Sequence, residues 1–392
     1  MNQKIYNFDK VIERTNTNCV KWDLRSVFFK NPDLMPLWVA DMDFETPDFI
    51  LDDIKARMEH PVLGYTFRPS DFNKAFQVWA KKKYDWDIKP DWISFSPGVV
   101  SAVSIAVMEF TNPEDEIIVQ PPVYFPFFKS IEGLNRKLIY NPLKEIDDRY
   151  CFDFDNLEEI ITPKTKMLIL CNPHNPGGSA WTPEELGKLA EICSKHDIFV
   201  VSDEIHADLV FEPAVHTPFI TATKRPELKT IALLAASKSF NLAGLATSMV
   251  VIPDADIKAK YDNMLQTLHI GGGNLFGSIA TMSAYSKGWE WMQQLLVYLK
   301  SNRDFMVNYF HKELPGLRIL IPEATYLAWI DFSSLGMKQD ELNNWMYNEV
   351  GVGLNTGTMF GPGGEGFMRI NFACPKKQLE LALQRIKKNL EL

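Results

Sequence analysis

The sequence has few cysteines, no excess of positive charge and no long apolar run, and each lack excludes a class of protein. Its five cysteines are scattered without CxxC spacing, so we expect reduced thiols rather than a disulfide framework. The formal net charge of -9 at pH 7 argues against a nucleic-acid interface, which needs a basic patch. No stretch approaches the apolar length that spans a bilayer, and the start MNQKIYNFDK lacks the apolar core of a signal peptide. We therefore expect a cytoplasmic protein that binds neither nucleic acid nor membrane.

Short continuous apolar runs recur through the middle of the chain and predict its fold class. They read EIIVQ, KMLILC, IFVVSDE, TIALLAA and SMVVIP, and begin at Glu116, Lys166, Ile198, Thr230 and Ser248. Runs without alternation of polar and apolar residues are typical of strands buried on both faces, as in a mainly parallel sheet between layers of helices. The stretch TPEELGKLAEICSKH opens with threonine, proline and two acids, and it predicts one of those helices.

The two ends of the chain predict a second, smaller unit. From Trp289 to Leu314, apolar residues recur at helical spacing without a breaker, which predicts a long helix leaving the sheet. Two strand-like stretches, ATYLAWIDF and EGFMRINFA, and an amphipathic helix from Lys376 follow. We therefore predict an α/β protein with a large domain over residues 50–287 and a smaller α+β domain built from residues 1–49 and 288–392.

Chemically distinctive side chains follow several of the predicted strands. Because open α/β sheets bind ligands at the carboxyl ends of their strands, these side chains are candidates for one site. Asp203 ends IFVVSD, Asn175 lies in the turn after KMLILC, and Lys238 follows TIALLAA. Gly98 ends the turn SPG before an apolar helix that begins near Val99. Such a turn can hold a phosphate, because free N–H groups and the positive end of the helix dipole face the anion.

This combination matches the requirements of pyridoxal 5'-phosphate. The cofactor needs a lysine for a Schiff base, an acid that keeps its ring nitrogen protonated, donors at its phenolic oxygen and a cup for its phosphate. The protonated ring can then accept electrons from a substrate carbanion. The lysine must lose its proton easily, which a desolvated site near positive charge promotes.

The motifs taken together resemble those of the fold-type I pyridoxal-phosphate enzymes, the class I/II aspartate aminotransferase superfamily, over essentially the whole chain. They are NPHNPGG from Asn172, SDEIH from Ser202, SKSFNLAGL from Ser237 and MRINFA from Met368, in this order. Two further stretches, PLWVADMDFETP and ATYLAWIDF, resemble the MalY/PatB branch, which contains cystathionine β-lyases and other C–S lyases. The resemblance implies the pyridoxal-phosphate-dependent transferase-like fold.

The resemblance also implies roles for individual residues. Lys238 would form the Schiff base, Asp203 would pair with the pyridine nitrogen, and Asn175 would donate to the phenolic oxygen. Tyr124 would stack over the ring, and Arg369 would bind the substrate carboxylate through two parallel hydrogen bonds. The other implied contacts are Gly98, Val99, Val100 and Ser237 at the phosphate, His206 near the phenolic oxygen, and Tyr65 at the phosphate of a neighbouring subunit. A homodimer with shared sites is therefore expected.

One position departs from the aminotransferase pattern. Aminotransferases commonly have an arginine bonded to the phosphate eight residues after the lysine, where this chain has Ala246. Members of the MalY/PatB branch also tend to lack that arginine. We therefore expect a C–S β-lyase that cleaves L-cystathionine or related cysteine thioethers to thiol, pyruvate and ammonia. The alternative is an aminotransferase acting on an undetermined amino acid. Some members of this branch bind a protein regulator, but the intact cofactor set disfavours a purely regulatory role here.

Simpler interpretations exist for each residue taken alone. Lys238 could extend to water from a strand end, Asp203 could cap a turn, Tyr124 could be core packing and Arg369 could be an exposed strand arginine. Asp203, His206 and His216 could also suggest a metal site, but neither an HExxH motif nor a cysteine cluster supports one. We expect no metal, and we expect Glu204 to be structural.

Overall fold

A seven-stranded sheet forms the centre of the protein in the computed structural model, which describes residues 4–225 and 227–390. The strands of the described chain are β1 (Met35–Pro36), β2 (Ile93–Ser96), β3 (Glu116–Val119), β4 (Lys137–Tyr140), β5 (Lys144–Ile146), β6 (Arg149–Cys151), β7 (Thr165–Cys171), β8 (Phe199–Asp203), β9 (Thr230–Leu234), β10 (Ser248–Val251), β11 (Arg318–Ile319), β12 (Leu327–Asp331), β13 (Val352–Gly353), β14 (Asn355–Thr356) and β15 (Phe367–Asn371). The central sheet has the order β2-β10-β9-β8-β7-β3-β4. Its neighbouring strands run parallel except where β10 pairs with β2 and β9. The predicted mainly parallel, mixed sheet is confirmed.

Helices cover the sheet and build the rest of the protein. They are α1 (Val20–Asp23), α2 (Arg25–Phe28), α3 (Asp48–Met58), α4 (Ser70–Tyr84), α5 (Val99–Phe110), α6 (Pro126–Glu132), α7 (Phe154–Ile160), α8 (Pro183–Lys195), α9 (Phe219–Ala222), α10 (Ala236–Ser239), α11 (Ala255–Thr267), α12 (Leu275–Lys287), α13 (Trp289–Glu313), α14 (Gln339–Asn344) and α15 (Lys376–Leu390). Short 3-10 turns lie at Pro90–Trp92, Ala243–Leu245, Ser333–Leu335 and Gly357–Phe360, and a π-helical turn lies at Trp345–Val350. Across residues 4–225 and 227–390, no helix is both long and apolar enough to cross a membrane.

The helices predicted from sequence form where their end signals place them. The predicted cap of α8 is a capping box, in which the Thr182 hydroxyl accepts from the Glu185 N–H while the Glu185 carboxylate accepts from the Thr182 N–H. The long helix α13 ends one residue before the predicted Leu314, and α15 begins at the predicted Lys376.

Successive side chains of the central strands enter two different cores, which is why these strands lack a polar face. Ile117 and Val201 pack in a cluster with side chains of α5, α6 and α11. Their neighbours Ile118 and Val200 point the other way, into a cluster with side chains of α8. Helices therefore enclose the sheet from both faces, and its strand ends are the positions where polar side chains can gather.

A smaller antiparallel sheet, β11-β12-β15-β14, lies in the C-terminal part of the chain. Its side chains share one core with those of α13 and α15. The N-terminal strand β1 pairs in parallel with β13, with Met35 opposite Val352. Both chain ends thus meet, as the predicted smaller domain requires. The domain boundaries themselves, near residues 50 and 288, stay a prediction.

Candidate active site

A cavity of about 290 Å³ lies at the carboxyl ends of β7 and β8, between these strands and the first turn of α5. It brings together most of the residues that the sequence selected. Its lining includes Gly98, Val99, Val100, Tyr124, Asn175, Asp203, His206, Ser237 and Lys238, together with Ala246. The position is the one expected for a ligand site in an open α/β sheet.

The turn into α5 forms one wall of this cavity. Gly98 has a φ of 107°, a left-handed conformation that glycine adopts without strain, and a β-carbon added there would meet open space. Helix α5 starts at the next residue and is 12 residues long. The N–H groups of its first turn have no partner within the helix and carry the positive end of the helix dipole. The wall is therefore suited to an anion such as a phosphate.

The amine of Lys238 enters the cavity from α10, a single turn that directly follows β9. Its Nζ donates to the Ala40 carbonyl at 2.6 Å. Burial lowers the pKa of Lys238 to about 8, and the nearby Arg369 acts in the same direction. Roughly a tenth of this amine is therefore unprotonated at pH 7, far more than for an exposed lysine of ordinary pKa.

The carboxyl group of Asp203 lies at the last residue of β8 and is buried. Its Oδ1 accepts from the Ile205 N–H at 3.1 Å. Burial raises the pKa of Asp203 to about 7, although the Ile205 N–H and Lys238 both oppose that rise. Asp203 is thus an acid held in a dry site, where a cationic partner would favour its ionised form.

The adjacent Glu204 does not line the cavity, and its carboxylate links the end of β8 to residues 216–219. Its carboxylate accepts from the Ser202 hydroxyl, the His216 Nε2 and the Phe219 N–H, each at 2.9 Å. This is the structural role expected for Glu204. Within residues 4–225 and 227–390, no three His, Cys, Asp or Glu side chains are grouped so as to hold a metal ion, including Asp203, His206 and His216.

The guanidinium of Arg369 lies beside the cavity, on β15, and its side chain is buried. It donates to Asn175 Oδ1 at 2.9 Å, to the Trp38 carbonyl at 2.9 Å and to Asn355 Oδ1 at 2.7 Å. Its Nε has no hydrogen-bond partner among the described residues, and burial lowers its pKa to about 10. The interpretation as an exposed strand arginine is therefore wrong. A buried guanidinium bound to neutral oxygens is suited to receive a carboxylate.

Two aromatic side chains complete the lining. Burial raises the pKa of Tyr124, so that its hydroxyl keeps its proton, and its ring meets Phe127 edge-on at 5.6 Å between centroids. Burial holds the pKa of His206 well below its ordinary value, so that its imidazole is neutral. The His206 Nδ1 has no partner within the described part of the chain. A bound ligand could supply that partner.

Two selected residues, Arg369 beside the cavity and Tyr65 away from it, are not part of the lining, and several lining residues were not selected from the sequence. Tyr65 is fully exposed on the segment between α3 and α4. The residues missed are Ala40, Pro97, Ser101, Cys171, Ile205, Ala243 and Thr247. Two signals could have found some of them: Ser101 lies in the first turn after Gly98, and Cys171 stands opposite Asp203 in the β7–β8 register. Ala40 gave no signal, because it acts through its backbone carbonyl.

Comparison with known proteins identifies the family. The model of the family "Aminotransferase class I and II" matches residues 32–386. The chain belongs to this family. Cystathionine beta-lyase PatB of Bacillus subtilis (strain 168) is 43% identical to it over 382 residues, which cover 97% of this chain and 99% of that protein.

Solved structures of other family members share the fold over the full chain. Cystalysin from Treponema denticola, which contains a pyridoxal 5'-phosphate cofactor, matches with a TM-score of 0.95 at 35% identity and covers 99% of each chain. A pyridoxal-phosphate-bound C–S lyase from Staphylococcus hominis matches with a TM-score of 0.92 at 33% identity, covering 99% of this chain and 98% of that one. The predicted pyridoxal-phosphate-dependent transferase-like fold is confirmed.

The raised pKa of Asp203 predicts how the cofactor-free chain responds to pH. An unfolded chain ionises Asp203 near pH 4, whereas the folded chain resists ionisation until about pH 7. The folded state therefore loses stability as pH rises through this window. Asp203→Asn removes that loss and should stabilise the cofactor-free chain by roughly 1–3 kcal/mol at pH 8, with little effect at pH 4. Urea unfolding at both pH values measures it.

The matched control is Asp147→Asn, since Asp147 is exposed. Its free energy of unfolding should stay close to that of the native chain at both pH values. Equal stability of Asp203→Asn and Asp147→Asn at pH 8 would show that burial imposes no cost on the Asp203 carboxylate.

Proposed function

We propose that the protein is a pyridoxal-phosphate-dependent C–S β-lyase that cleaves L-cystathionine or related cysteine thioethers. The observation that carries this proposal is the single buried cavity in which the Lys238 amine, the Asp203 carboxyl and the first turn of α5 meet, with Arg369 beside it. The choice of C–S bond cleavage rests on kinship with PatB and with the C–S lyase of known structure.

The lining fits pyridoxal 5'-phosphate part by part. The Lys238 amine would hold the cofactor covalently, and Asp203 would face its ring nitrogen. Asn175 and the unpartnered Nδ1 of His206 are polar groups for its phenolic oxygen. The first turn of α5 and Ser237 would hold the phosphate, with Gly98, Val99 and Val100 contributing backbone N–H groups, and the Tyr124 ring would cover one face.

Asp203 sets the chemistry that the bound group can perform. Its carboxylate, placed in a dry site, holds a proton at the ring nitrogen, because the pair of opposite charges offsets the cost of burying either one. Pyridoxal 5'-phosphate held with that proton would supply a sink for the electron pair left at the substrate α-carbon. The raised pKa of Asp203 is therefore a property of the site without its cationic partner.

Lys238 and Arg369 act on the substrate itself. Arg369 would bind the α-carboxylate, which gives its buried charge a partner that the Trp38 carbonyl and the Asn355 side chain do not supply. Freed from the cofactor, the Lys238 amine would remove the α-proton. Its pKa of about 8 suits a general base that works near neutral pH.

The fate of the substrate depends on its β-substituent. A thiolate is a good leaving group, so the bond between the β-carbon and sulfur breaks once the α-proton has gone. L-cystathionine and one water then give homocysteine, pyruvate and ammonia without any oxidant or second substrate. An aminotransferase acting on an undetermined amino acid is the second candidate, since the matching family model carries that name. The intact cavity does not favour a purely regulatory role.

The products formed from L-cystathionine decide between these two activities. We expect pyruvate, ammonia and homocysteine in equal amounts with no keto acid added. The reason is that loss of the thiolate should be faster than reprotonation. Lactate dehydrogenase coupling measures pyruvate, and a thiol reagent measures homocysteine.

The control is the same assay with 2-oxoglutarate and aspartate, aromatic or branched amino acids as amino donors. Fast formation of glutamate, with only traces of pyruvate from L-cystathionine, would identify an aminotransferase and reject the lyase.

We further propose that the enzyme works as a homodimer in which each subunit completes the other's site. Tyr65 supports this, because its side chain is fully exposed on the α3–α4 segment rather than packed against its own chain. A tyrosine that reaches the cofactor phosphate of the neighbouring subunit would donate one hydrogen bond to it. That bond would replace one of those made by the arginine that aminotransferases commonly have at the position of Ala246.

Mixed dimers test this arrangement. A subunit with Lys238→Ala and one with Tyr65→Phe form one native site when Tyr65 acts across the interface. If each parent is strongly impaired, an equal mixture should recover about a quarter of native activity, since half of the dimers are hybrids with one intact site. Differently tagged subunits verify that hybrids form. Verified hybrids that regain no activity would show that Tyr65 does not act across subunits.

A further inference from the structure

The backbone carbonyl of Ala40 accepts two hydrogen bonds at the edge of the cavity. One comes from the Lys238 Nζ at 2.6 Å, and the other comes from the Tyr326 hydroxyl at 2.9 Å. A carbonyl oxygen has two lone pairs, so both donors can bind at once. The Lys238 amine therefore shares its acceptor with a neutral hydroxyl.

Packing fixes the position of Tyr326, and hydrogen bonds hold the strained backbone of the residue before it. Its side chain is fully buried, and its ring meets that of His206 edge-on at 6.0 Å between centroids. The preceding Thr325 has a φ of 70°, which is unfavourable for a β-branched residue. Two bonds hold this conformation: the Thr325 N–H donates to the Leu209 carbonyl at 2.6 Å, and its hydroxyl accepts from the Leu327 N–H at 3.0 Å. Strain of this kind persists where the surrounding structure enforces it.

One side chain binds the carbonyls of both residues that flank Ala40. The Asn371 Nδ2 donates to the Val39 carbonyl and to the Asp41 carbonyl, each at 2.6 Å. Asn371 lies at the end of β15, two residues after Arg369. The Ala40 carbonyl is thereby held in register with the residue that would bind the substrate carboxylate.

Ion pairs also hold residues that closely follow Ala40. Lys21 is fully buried and pairs with Asp43 at 2.6 Å, while Arg14 pairs with Asp41 at 2.6 Å. Removing one partner from a buried pair leaves an uncompensated charge, so such pairs strongly restrict the backbone that carries them. These ion pairs therefore restrict the segment that carries the Ala40 carbonyl.

We propose that Tyr326 is a positioning residue for Lys238. Its hydroxyl donates a hydrogen bond to the Ala40 carbonyl and so weakens the hydrogen bond between that carbonyl and the lysine amine. The proposal deepens the proposed function, in which Lys238 is the base. The two hydrogen bonds do not depend on which reaction the enzyme performs.

The physical reason is that the two donors share one acceptor oxygen, so that each hydrogen bond is weaker than it would be alone. Without the hydroxyl, the charged ammonium would be the only side-chain donor to the Ala40 carbonyl among the described residues, and this charge-assisted bond would strengthen. The protonated amine would then be favoured. Burial raises the pKa of Tyr326 well above its ordinary value, so the hydroxyl remains a donor throughout the working range. The other titratable groups around Lys238 are Arg369, which disfavours its charge, Asp41 and Asp203, which favour it, and His206 and Tyr124.

The test is Tyr326→Phe in the full-length chain freed of cofactor. Competitive acetylation with acetic anhydride between pH 6 and 10.5, read by mass spectrometry of the peptide that carries Lys238, gives the pKa of that amine alone. We expect the variant to raise this pKa by about half a unit to one unit, the size of one modest hydrogen bond. In the holoenzyme, the acid limb of the kcat profile should move to higher pH by the same amount while KM stays unchanged.

Two further proteins make the result decisive. Tyr347→Phe is the matched control, because the Tyr347 hydroxyl donates to the Leu354 carbonyl at 3.0 Å and does not reach Lys238; its Lys238 pKa should equal the native value. Replacing Tyr326 with 3-fluorotyrosine keeps the fold and the hydroxyl but strengthens the donor, so the Lys238 pKa should fall. An unchanged or lowered pKa in Tyr326→Phe, or a raised one with 3-fluorotyrosine, would overturn the proposal. Absence of pyruvate from the native enzyme would reject the lyase, and the acetylation result would still decide the role of Tyr326.

Discussion

Desolvation at the carboxyl ends of the central strands sets the charge state of the groups that line the cavity. Burial lowers the pKa of Lys238 to about 8, raises that of Asp203 to about 7 and keeps His206 neutral. In water these groups would be a fixed cation, a fixed anion and a half-titrated base. Without the cofactor, Lys238 and Asp203 therefore both titrate near neutral pH. The chemistry that we propose uses the lowered pKa of Lys238 and would need Asp203 as a carboxylate, the form that a cationic partner favours.

The dry site forms because the central sheet and the smaller antiparallel sheet both place residues in or beside the same cavity. The central sheet brings Asp203 and Lys238, and the antiparallel sheet brings Arg369, whose bond to Asn175 links the two. Most of the energy that holds this arrangement comes from the apolar cores on both sides of the central strands, since burial of apolar surface is the main stabilising contribution to folding. The N-terminal segment around Ala40 closes the space, and its backbone contacts the lysine directly.

Much of the fold could be predicted because its signals are local. Continuous apolar runs identified β3, β7, β8, β9 and β10, and a threonine followed by proline and two acids marked the start of α8. The residues at the ends of these runs identified most of the cavity, because parallel strands bring their carboxyl ends together. What could not be predicted depends on long-range contacts or on backbone atoms. Ala40 contributes only a carbonyl. Arg369 itself was predicted, but its bonds to the Trp38 carbonyl and the Asn355 side chain were not, because no local pattern links these residues.

The central claim is that the buried amine of Lys238 holds the cofactor. Borohydride reduction of the protein as purified fixes a lysine-bound cofactor irreversibly, and peptide mass spectrometry then identifies the lysine. The account predicts a pyridoxyl-phosphate adduct on Lys238, together with loss of the visible absorption of the protein on reduction. An adduct on a different lysine, or a protein that takes up no added pyridoxal 5'-phosphate, would contradict it.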